Sequence, residues 1–389
     1  MNIEEILRNY DTKNITIAVL GGHSALDVCH GAKKQGFRTL AVCQKGRAET
    51  YEKYYKTRNG KGCIDDVIVV DHFKDIVKPE VQQELRDKNC IFIHNRYFWV
   101  YCNFEEIEHD FHVPIYGSRT LLKLEERDIP NNQYYLLEKA GIRIPKMWDV
   151  PKIRLENLNI IFENKENLKD MDRLTLTKIN NAVRTYEREN FVASSWMEWL
   201  HIVNEKLSKG LITFEDLQVA VIEEFILGAQ INFNFFYDAL TGDLELMGTD
   251  MRRQTNLDGV LRLPAHEQLK IDNLPQYIKH IETGHVAVTC KESLVEKAYE
   301  AGEKFLQSCK QYAGQEMIGP FALQGAIDTH DNKEEIVVFD VSMRIPGSPG
   351  TKFTPYTGYM FGESMSYGER IGMNMKHALE RGKLSQLLT

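Results

Sequence analysis

The chain opens with a strand–helix–strand unit, and this unit limits the possible fold more than any other feature. Residues 15–20 are an apolar run, ITIAVL, stopped by the pair Gly21-Gly22. A helix is predicted over residues 23–34, Gly36 ends it, and residues 39–43, TLAVC, return as a second apolar strand. Two strands joined through a helix run in the same direction, so the unit predicts a parallel sheet.

The rest of the chain first extends this sheet and then changes character. Apolar runs at residues 67–70 and 90–93 continue the sheet to about Tyr116, and a break follows at residues 115–119. Strand signals then recur at residues 158–162, 174–178, 220–226, 232–237, 244–248, 321–327 and 336–344. A long helical stretch at residues 291–312 precedes the last two strands. The order predicts a compact N-terminal α/β domain followed by a larger α+β domain.

Composition narrows the class of protein. Hydrophobic residues make up 43% and charged residues 27% of the 389 residues, which is ordinary for a globular protein. A net charge of -8 argues against a role in coating nucleic acid, and no apolar run reaches the length of a membrane span. The seven cysteines are scattered and odd in number, a pattern typical of reduced thiols. We therefore expect a cytoplasmic protein with neither nucleic-acid nor membrane partners.

A first candidate site follows the opening strand. The segment Gly21-Gly22-His23-Ser24 comes where open parallel sheets bind ligands, and the next helix offers free backbone N–H groups to a phosphate. The third glycine of a dinucleotide fingerprint is missing, so a plain strand-to-helix turn is the alternative. Lys45 and Arg47, after the second strand, favour an anion site.

A second candidate site is the hairpin predicted from strands 321–327 and 336–344. Each strand places one polar group among apolar neighbours, Gln324 or Asp340, and a buried polar group without a partner costs about 1–3 kcal/mol. A hairpin brings such groups side by side, and two facing oxygen ligands suit a hard cation that carries nucleotide phosphates. Arg344 adds a guanidinium fork for phosphate oxygens. The alternative is an edge hairpin with incidental polar residues.

Three further segments carry charge in patterns that suit a nucleotide. Lys178 ends a predicted strand, and the segment after it, with Arg184 and Arg188, is a basic loop that could fold over phosphates. The segment Glu223-Glu224 runs into a glycine at 228, and a polar cluster at residues 252–259 offers two arginines and an asparagine. Each segment also has an ordinary structural interpretation as a surface lysine, an acidic strand end or a loop.

Taken in order, these motifs resemble a known family over nearly the whole chain. The sequence is similar to the archaeal formate–phosphoribosylaminoimidazolecarboxamide ligases of purine synthesis, which are ATP-grasp enzymes. The residues that carry the resemblance are 21–24, 45–47, 113–119, 140–145, 223–225, 256–259, 317–321 and 366–371. The resemblance implies an ATP-grasp domain over residues 126–389, with a hinge near 223–228, preceded by an α/β domain over residues 1–125. It also implies a homo-oligomer.

The resemblance further implies a reaction and a set of site residues. ATP, formate and the aminoimidazole carboxamide ribonucleotide would give the formamido product through formyl phosphate. His23 and Arg344 would be catalytic, and the ribonucleotide would contact His23, Ser24, Arg96 and Asn256. The remaining implied ligands are Lys178, Glu223, Glu224 and Gln230 for ATP, and Gln324 and Asp340 for magnesium, with manganese as an alternative.

Two other hypotheses stay open from the sequence. Residues 94–99 are bulky and basic where the family has small residues near the ribonucleotide. This difference favours a divergent ATP-grasp ligase that uses another small acid or another amine. Tyr134-Tyr135 stands where a first ATP-binding lysine is often found, and the loop after Lys178 lacks glycines, which favours a non-catalytic nucleotide-binding protein.

Overall fold

A computed structural model of the chain describes residues 3–127, 129–150, 152–156, 159–163, 173–179, 189–271, 282–330 and 333–389. Its N-terminal part is built on a parallel sheet of five strands in the order β3-β2-β1-β4-β5. These strands are β1 (Thr16–Leu20), β2 (Arg38–Gln44), β3 (Asp66–Val70), β4 (Cys90–Ile93) and β5 (Ile115–Tyr116). All five residues of β1 are buried, so the strand lies at the centre of a sheet covered on both faces, as the apolar pattern predicts.

Helices cover the two faces of this sheet and continue through the rest of the chain. The α-helices are α1 (Ile3–Leu7), α2 (Ala25–Lys34), α3 (Pro79–Asp87), α4 (Arg96–Tyr101), α5 (Gln133–Lys139), α6 (Trp196–Ser208), α7 (Phe214–Gln218), α8 (Thr255–Val260), α9 (Ala265–Ile271), α10 (Glu292–Ser308), α11 (Tyr356–Phe361) and α12 (Tyr367–Glu380). Short 3-10 or π turns occupy Thr50–Tyr54, Phe73–Val77, Glu106–Asp110, Leu121–Glu125, Cys309–Ala313, Pro349–Phe353 and Leu384–Leu387. No described helix has the length and apolar character that a membrane span needs.

The second part of the chain contains antiparallel sheets. A four-stranded sheet has the order β10-β9-β11-β6, a five-stranded sheet has the order β14-β13-β12-β15-β16, and β7 pairs with β8. The strands are β6 (Met147–Trp148), β7 (Lys152–Glu156), β8 (Asn159–Glu163), β9 (Thr175–Lys178), β10 (Phe191–Ala193), β11 (Val221–Glu224), β12 (Ala229–Asp238), β13 (Asp243–Gln254), β14 (Glu282–Val288), β15 (Gly319–His330) and β16 (Lys333–Ser342). The α/β followed by α+β order predicted from the sequence is therefore observed.

Two predicted loops are regular structure instead. Residues 328–335 were expected to be a turn, but β15 runs to His330 and β16 starts at Lys333. The strands continue because Asp328 pairs with Glu335 and Thr329 with Glu334 in the ladder, which satisfies backbone groups that a long turn would expose. The polar cluster at 252–259 is likewise divided between the end of β13 and helix α8, so its arginines lie on a strand.

The end of the chain returns to the first sheet. The backbone of Thr389 exchanges hydrogen bonds of 2.9 and 3.1 Å with that of Ile115 in β5. Helix α12 packs on α2 so closely that a Cβ built on Gly31 would lie 1.9 Å from the backbone of Gly368. The N-terminal unit therefore includes residues from the far end of the sequence, and its predicted boundary at residue 125 stays a prediction.

Candidate active site

The predicted site segments from both parts of the molecule meet at one cleft. The turn after β1 brings His23, the start of α4 brings Arg96, and the segment after β16 brings Arg344. The five-stranded sheet supplies the opposite wall. The cleft is a cavity of about 30 Å³, lined by His23, Arg96, Asn232, Asn234, Asp250, Arg252, Glu282, His285, Ala322, Gln324, Ser342, Arg344, Pro346, Gly347 and Ser348. Such a volume has room for only a few water molecules, because the polar side chains fill the cleft themselves.

An unusual turn presents His23 to the cleft. His23 and Ser24 have φ values of 29° and 51°, so two successive non-glycine residues adopt left-handed conformations that cost energy. Asn95 holds the turn by donating to the carbonyls of Leu20 at 3.0 Å and Gly22 at 3.2 Å. A strained backbone held in place by neighbours is typical of a functional turn.

Within the protein, Ser24 of this turn has a hydrogen-bond partner on a distant segment. Its hydroxyl donates to the carbonyl of Pro346 at 2.7 Å, and so joins the turn to the segment after β16. It makes no capping hydrogen bond to α2. Burial and the nearby Arg344 and Arg96 lower the pKa of His23 to about 3, so its imidazole is neutral and can accept a hydrogen bond.

The hairpin places Gln324 and Asp340 directly opposite each other, as predicted. The amide of Gln324 donates to the hydroxyl of Ser342 at 2.9 Å, and its oxygen accepts from Arg252 at 2.9 Å. Asp340 accepts from Arg127 at 3.3 Å. Both oxygen-bearing side chains therefore already interact with a cation on a neighbouring segment.

These two side chains fit a magnesium ion that is shared with a nucleotide. Magnesium is usually bound by one or two protein oxygens together with substrate phosphates, and it is not usually held by a cage of protein side chains alone. Among the described residues, no three His, Cys, Asp or Glu side chains gather as a metal cluster. The amide oxygen of Gln324 has a second lone pair, so its bond to Arg252 leaves it able to act as a ligand.

A buried cluster beside the hairpin contains two of the predicted nucleotide ligands. Lys178 forms an ion pair with Glu223, and the hydroxyl of Tyr134 donates to Glu223 at 2.7 Å. The carbonyl of Phe339 accepts from Tyr134 at 3.0 Å and from Lys178 at 3.4 Å. Tyr134, noted in the sequence only because a lysine was expected there, is therefore part of this cluster.

The other predicted ligands of ATP and ribonucleotide lie elsewhere or cannot be described. Glu224 forms an ion pair of 2.7 Å with Arg173 and accepts from the backbone of Lys146, on the outer side of the four-stranded sheet. Gln230 is exposed at the start of β12 and does not line the cleft. The backbone of Asn256 is in α8, but its side chain lies outside what the structure describes, as do residues 180–188 with Arg184 and Arg188.

A buried carboxylate fixes Arg344. Glu125 lies 3.3 Å from a terminal nitrogen of Arg344 and accepts from the backbone of Met343 at 2.6 Å. Burial raises the pKa of Glu125 to about 7, although the arginine opposes this shift. The same burial lowers the pKa of Arg344. The guanidinium is therefore positioned before any ligand arrives.

A chain of charged groups across β13 and β14 was missed in the sequence. Nδ1 of His285 is hydrogen-bonded to Asp250, and Nε2 lies 3.1 Å from Glu282. Glu282 also lies 3.1 Å from Nε of Arg252, which leads to Gln324. The spacing of these residues in the sequence does not reveal the group. Its members are far apart along the chain, and their common face depends on an irregularity in the strand pairing.

Similarity to known proteins decides the family. The 5-formaminoimidazole-4-carboxamide-1-(beta)-D-ribofuranosyl 5'-monophosphate synthetase of Methanosphaera stadtmanae is 34% identical over 391 residues, which cover 100% of this chain and 98% of that protein. This chain belongs to the same synthetase family. Two family models also match, a "Domain of unknown function (DUF1297)" over residues 198–389 and a "Protein of unknown function (DUF1246)" over residues 17–148.

Solved structures confirm the ATP-grasp fold of this synthetase family member. The IMP biosynthesis protein PurP from Thermococcus kodakaraensis superposes with a TM-score of 0.66 at 23% identity, over 96% of this chain and 100% of that one. An ADP complex of purK, an N5-carboxyaminoimidazole ribonucleotide synthetase, superposes with a TM-score of 0.56 at 12% identity, over 86% of this chain and 71% of that one. The resemblance seen in the ordered motifs is therefore confirmed.

Proposed function

We propose that this chain is an ATP-dependent ligase that formylates 5-aminoimidazole-4-carboxamide ribonucleotide with formate during purine biosynthesis. The observation that carries the proposal is the full-length relationship to synthetases named for the formamido product. The cleft between the two parts of the molecule adds chemical support, since it combines a neutral histidine, three arginines and the hairpin with Gln324.

The reaction we propose has two steps. A formate oxygen attacks the γ-phosphorus of ATP, the bond from that phosphorus to the ADP oxygen breaks, and formyl phosphate and ADP result. The amine of the ribonucleotide then attacks the formyl carbon, the carbon–oxygen bond to phosphate breaks, and the amine loses one proton. In both steps the protein mainly positions the reactants and balances charge.

The residues divide this work by position. Lys178 and Glu223 face the nucleotide from the buried cluster, and Arg344 offers donors to the acid and to the phosphoryl group in transfer. Gln324 and Asp340 would hold magnesium, or manganese, which would neutralise charge on the phosphates. His23 is neutral, so it can accept a hydrogen bond from the attacking amine and orient it, while the departing phosphate takes up the proton.

The remaining assignments are part of the same proposal. Ser24, Arg96 and Asn256 would surround the ribonucleotide, and Glu224 and Gln230 would reach ATP only if the lobes move around residues 223–228. We place the enzyme in the cytoplasm, because all seven of its cysteines are free thiols. We also propose a homo-oligomer, as the resemblance to the family implies.

Product analysis tests the proposal. Purified protein with ATP, magnesium, formate and the ribonucleotide should yield the formamido product by mass spectrometry, and ADP release should require both substrates. Folded protein that binds ATP but forms no product under these conditions would contradict the proposal.

A second candidate is a ligase of the same lineage with another small acid or amine. It is favoured by Arg96, which lines the cleft within the bulky segment 94–99. A panel of acids and amines in an ADP-release assay separates the two candidates. If formate and the aminoimidazole ribonucleotide have the highest kcat/KM, the second candidate is wrong.

A further inference from the structure

One carboxylate in the cleft is held the way a bound anion would be held. The oxygens of Glu282 lie 3.1 Å from Nε2 of His285 and 3.1 Å from Nε of Arg252. These two cations converge from neighbouring strands, His285 from β14 and Arg252 from β13. Glu282 is their internal counterion.

The structure keeps His285 positively charged. Its other ring nitrogen is bonded to Asp250, which is 1% exposed and accepts from Asn234 at 2.6 Å and from Asn232 at 3.0 Å. Burial alone would lower the pKa of His285, but the hydrogen bonds to Asp250 and Glu282 raise it to about 9. Both ring nitrogens are therefore donors at neutral pH.

The groups around this pair are mostly cationic. His285 faces Asp250 and Arg252 on β13, Glu282 on its own strand, and, across the cleft, His23, Arg96 and Arg344. Of the carboxylates lining the cleft, Asp250 is already hydrogen-bonded to three side chains, those of Asn232, Asn234 and His285. Displacing Glu282 alone would leave a positive site that is ready for an anion.

The position of the pair indicates which anion it would bind. Asp340 is on β16, at the opposite edge of the sheet from β14, and adjacent strands lie about 4.8 Å apart. Arg252 and His285 are thus three and four strands away from Asp340. Formate must lie next to the phosphates that Asp340 serves, whereas His285 is at the far edge of the sheet and Arg252 lies between, where it donates to Gln324 at 2.9 Å. A phosphorylated ribosyl ring can extend from the reacting amine towards them.

We propose that Arg252 and His285 bind the phosphate monoester of the ribonucleotide, and that Glu282 occupies their site until that phosphate displaces it. This inference rests on the proposed function for the identity of the substrate. Arg252 also donates to Gln324, so an occupied phosphate site is connected directly to the residue proposed for magnesium.

Substrate discrimination provides the first test. The variants are His285→Gln and Arg252→Met, and Arg253→Met is the matched control, because Arg253 is adjacent on β13 but pairs with Asp258 at 3.2 Å, outside the cleft lining. We expect each cleft variant to lower kcat/KM for the ribonucleotide at least 100-fold. Activity with the corresponding ribonucleoside and the KM for formate should change less than threefold, and the control should match wild type.

Two results of that assay would overturn the inference. One is a rise in the KM for formate instead of the KM for the ribonucleotide. The other is an equal loss with the ribonucleotide and the ribonucleoside, which would make both residues structural.

Direct binding provides the second test and does not require turnover. Titration calorimetry with ribose 5-phosphate should give a dissociation constant at least tenfold weaker for His285→Gln than for wild type. Glu282→Gln removes the internal competitor and should bind at least threefold tighter. Weaker binding by Glu282→Gln would overturn the inference. Wild-type protein that binds ribose 5-phosphate but does not consume formate would contradict the proposed function and leave the phosphate site standing.

Discussion

At the scale of single residues, the site consists of polar and charged side chains that are paired with one another within the protein. Asp340 interacts with Arg127, Gln324 with Arg252, Arg344 with Glu125, and Lys178 with Glu223. Buried or half-buried charges need such partners, because an isolated one costs several kcal/mol. The sequence could predict Gln324 and Asp340, since both interrupt apolar strands. It could not predict their partners, which come from distant segments.

The role of Asp340 can be tested against a residue of the same kind on the same hairpin. Asp340→Asn keeps the size of the side chain but removes the charge proposed to hold magnesium, so we expect kcat for ADP release to fall at least 100-fold. Asp328→Asn is the control, since Asp328 also pairs with an arginine, Arg143, at 2.9 Å but is opposite Glu335 in the ladder, whereas Asp340 is opposite Gln324. Equal turnover in the two variants would show that Asp340 has no part in the reaction.

His285 should also give the protein a characteristic dependence of stability on pH. Its folded pKa of about 9 exceeds the usual value of 6.5, so its stabilising contribution is complete below about pH 6.5 and disappears as the pH rises through 9. This raised pKa corresponds to at most about 3 kcal/mol. In urea unfolding, the free energy lost in His285→Gln should be clearly larger at pH 6 than at pH 9.5. A pH-independent difference would mean that the histidine is neutral.

At the scale of elements, strand irregularities explain why much of the site was hidden in the sequence. The pairing of β13 with β14 shifts between Arg253 and Gln254, which leaves Thr283 without a partner in the ladder and lets Glu282 and His285 contact each other. Strict alternation would put Glu282 and His285 on opposite faces. A second shift, between Gln324 and Gly325, leaves Phe339 as an extra residue whose carbonyl accepts from Tyr134 and Lys178. Local patterns predict strands, but they do not locate bulges.

The second bulge depends on Gly325. A Cβ at this position would lie 2.2 Å from the carbonyl oxygen of Val337, a backbone atom that cannot easily move. We expect Gly325→Ala to destabilise the fold by about 1–3 kcal/mol, as overpacking does, and to raise the KM for ATP more than the KM for formate. Gly350→Ala is the control, since nothing lies within 4 Å of a Cβ there. Unchanged stability in Gly325→Ala would show that the bulge tolerates a side chain.

At the scale of the whole molecule, the far end of the chain joins its two parts. Arg370 of α12 binds Glu245 at 2.6 and 2.7 Å and Asp238 at 2.7 Å, while the same helix packs on α2 through Gly368. The N-terminal turn with His23 is thus held against the sheet that carries Arg252 and Gln324. The sequence predicted the parallel sheet from local patterns, but the return of the last segment depends on contacts between residues hundreds of positions apart, which local patterns do not encode.

We propose that formate is activated as formyl phosphate in this cleft. The most direct measurement is a reaction with formate carrying ¹⁸O at both oxygens, followed by mass spectrometry of the phosphate and of the formamido product. Because one formate oxygen attacks the γ-phosphorus and later leaves with it, we expect one ¹⁸O in the released phosphate and one in the formyl group. Product formed with unlabelled phosphate would contradict this account.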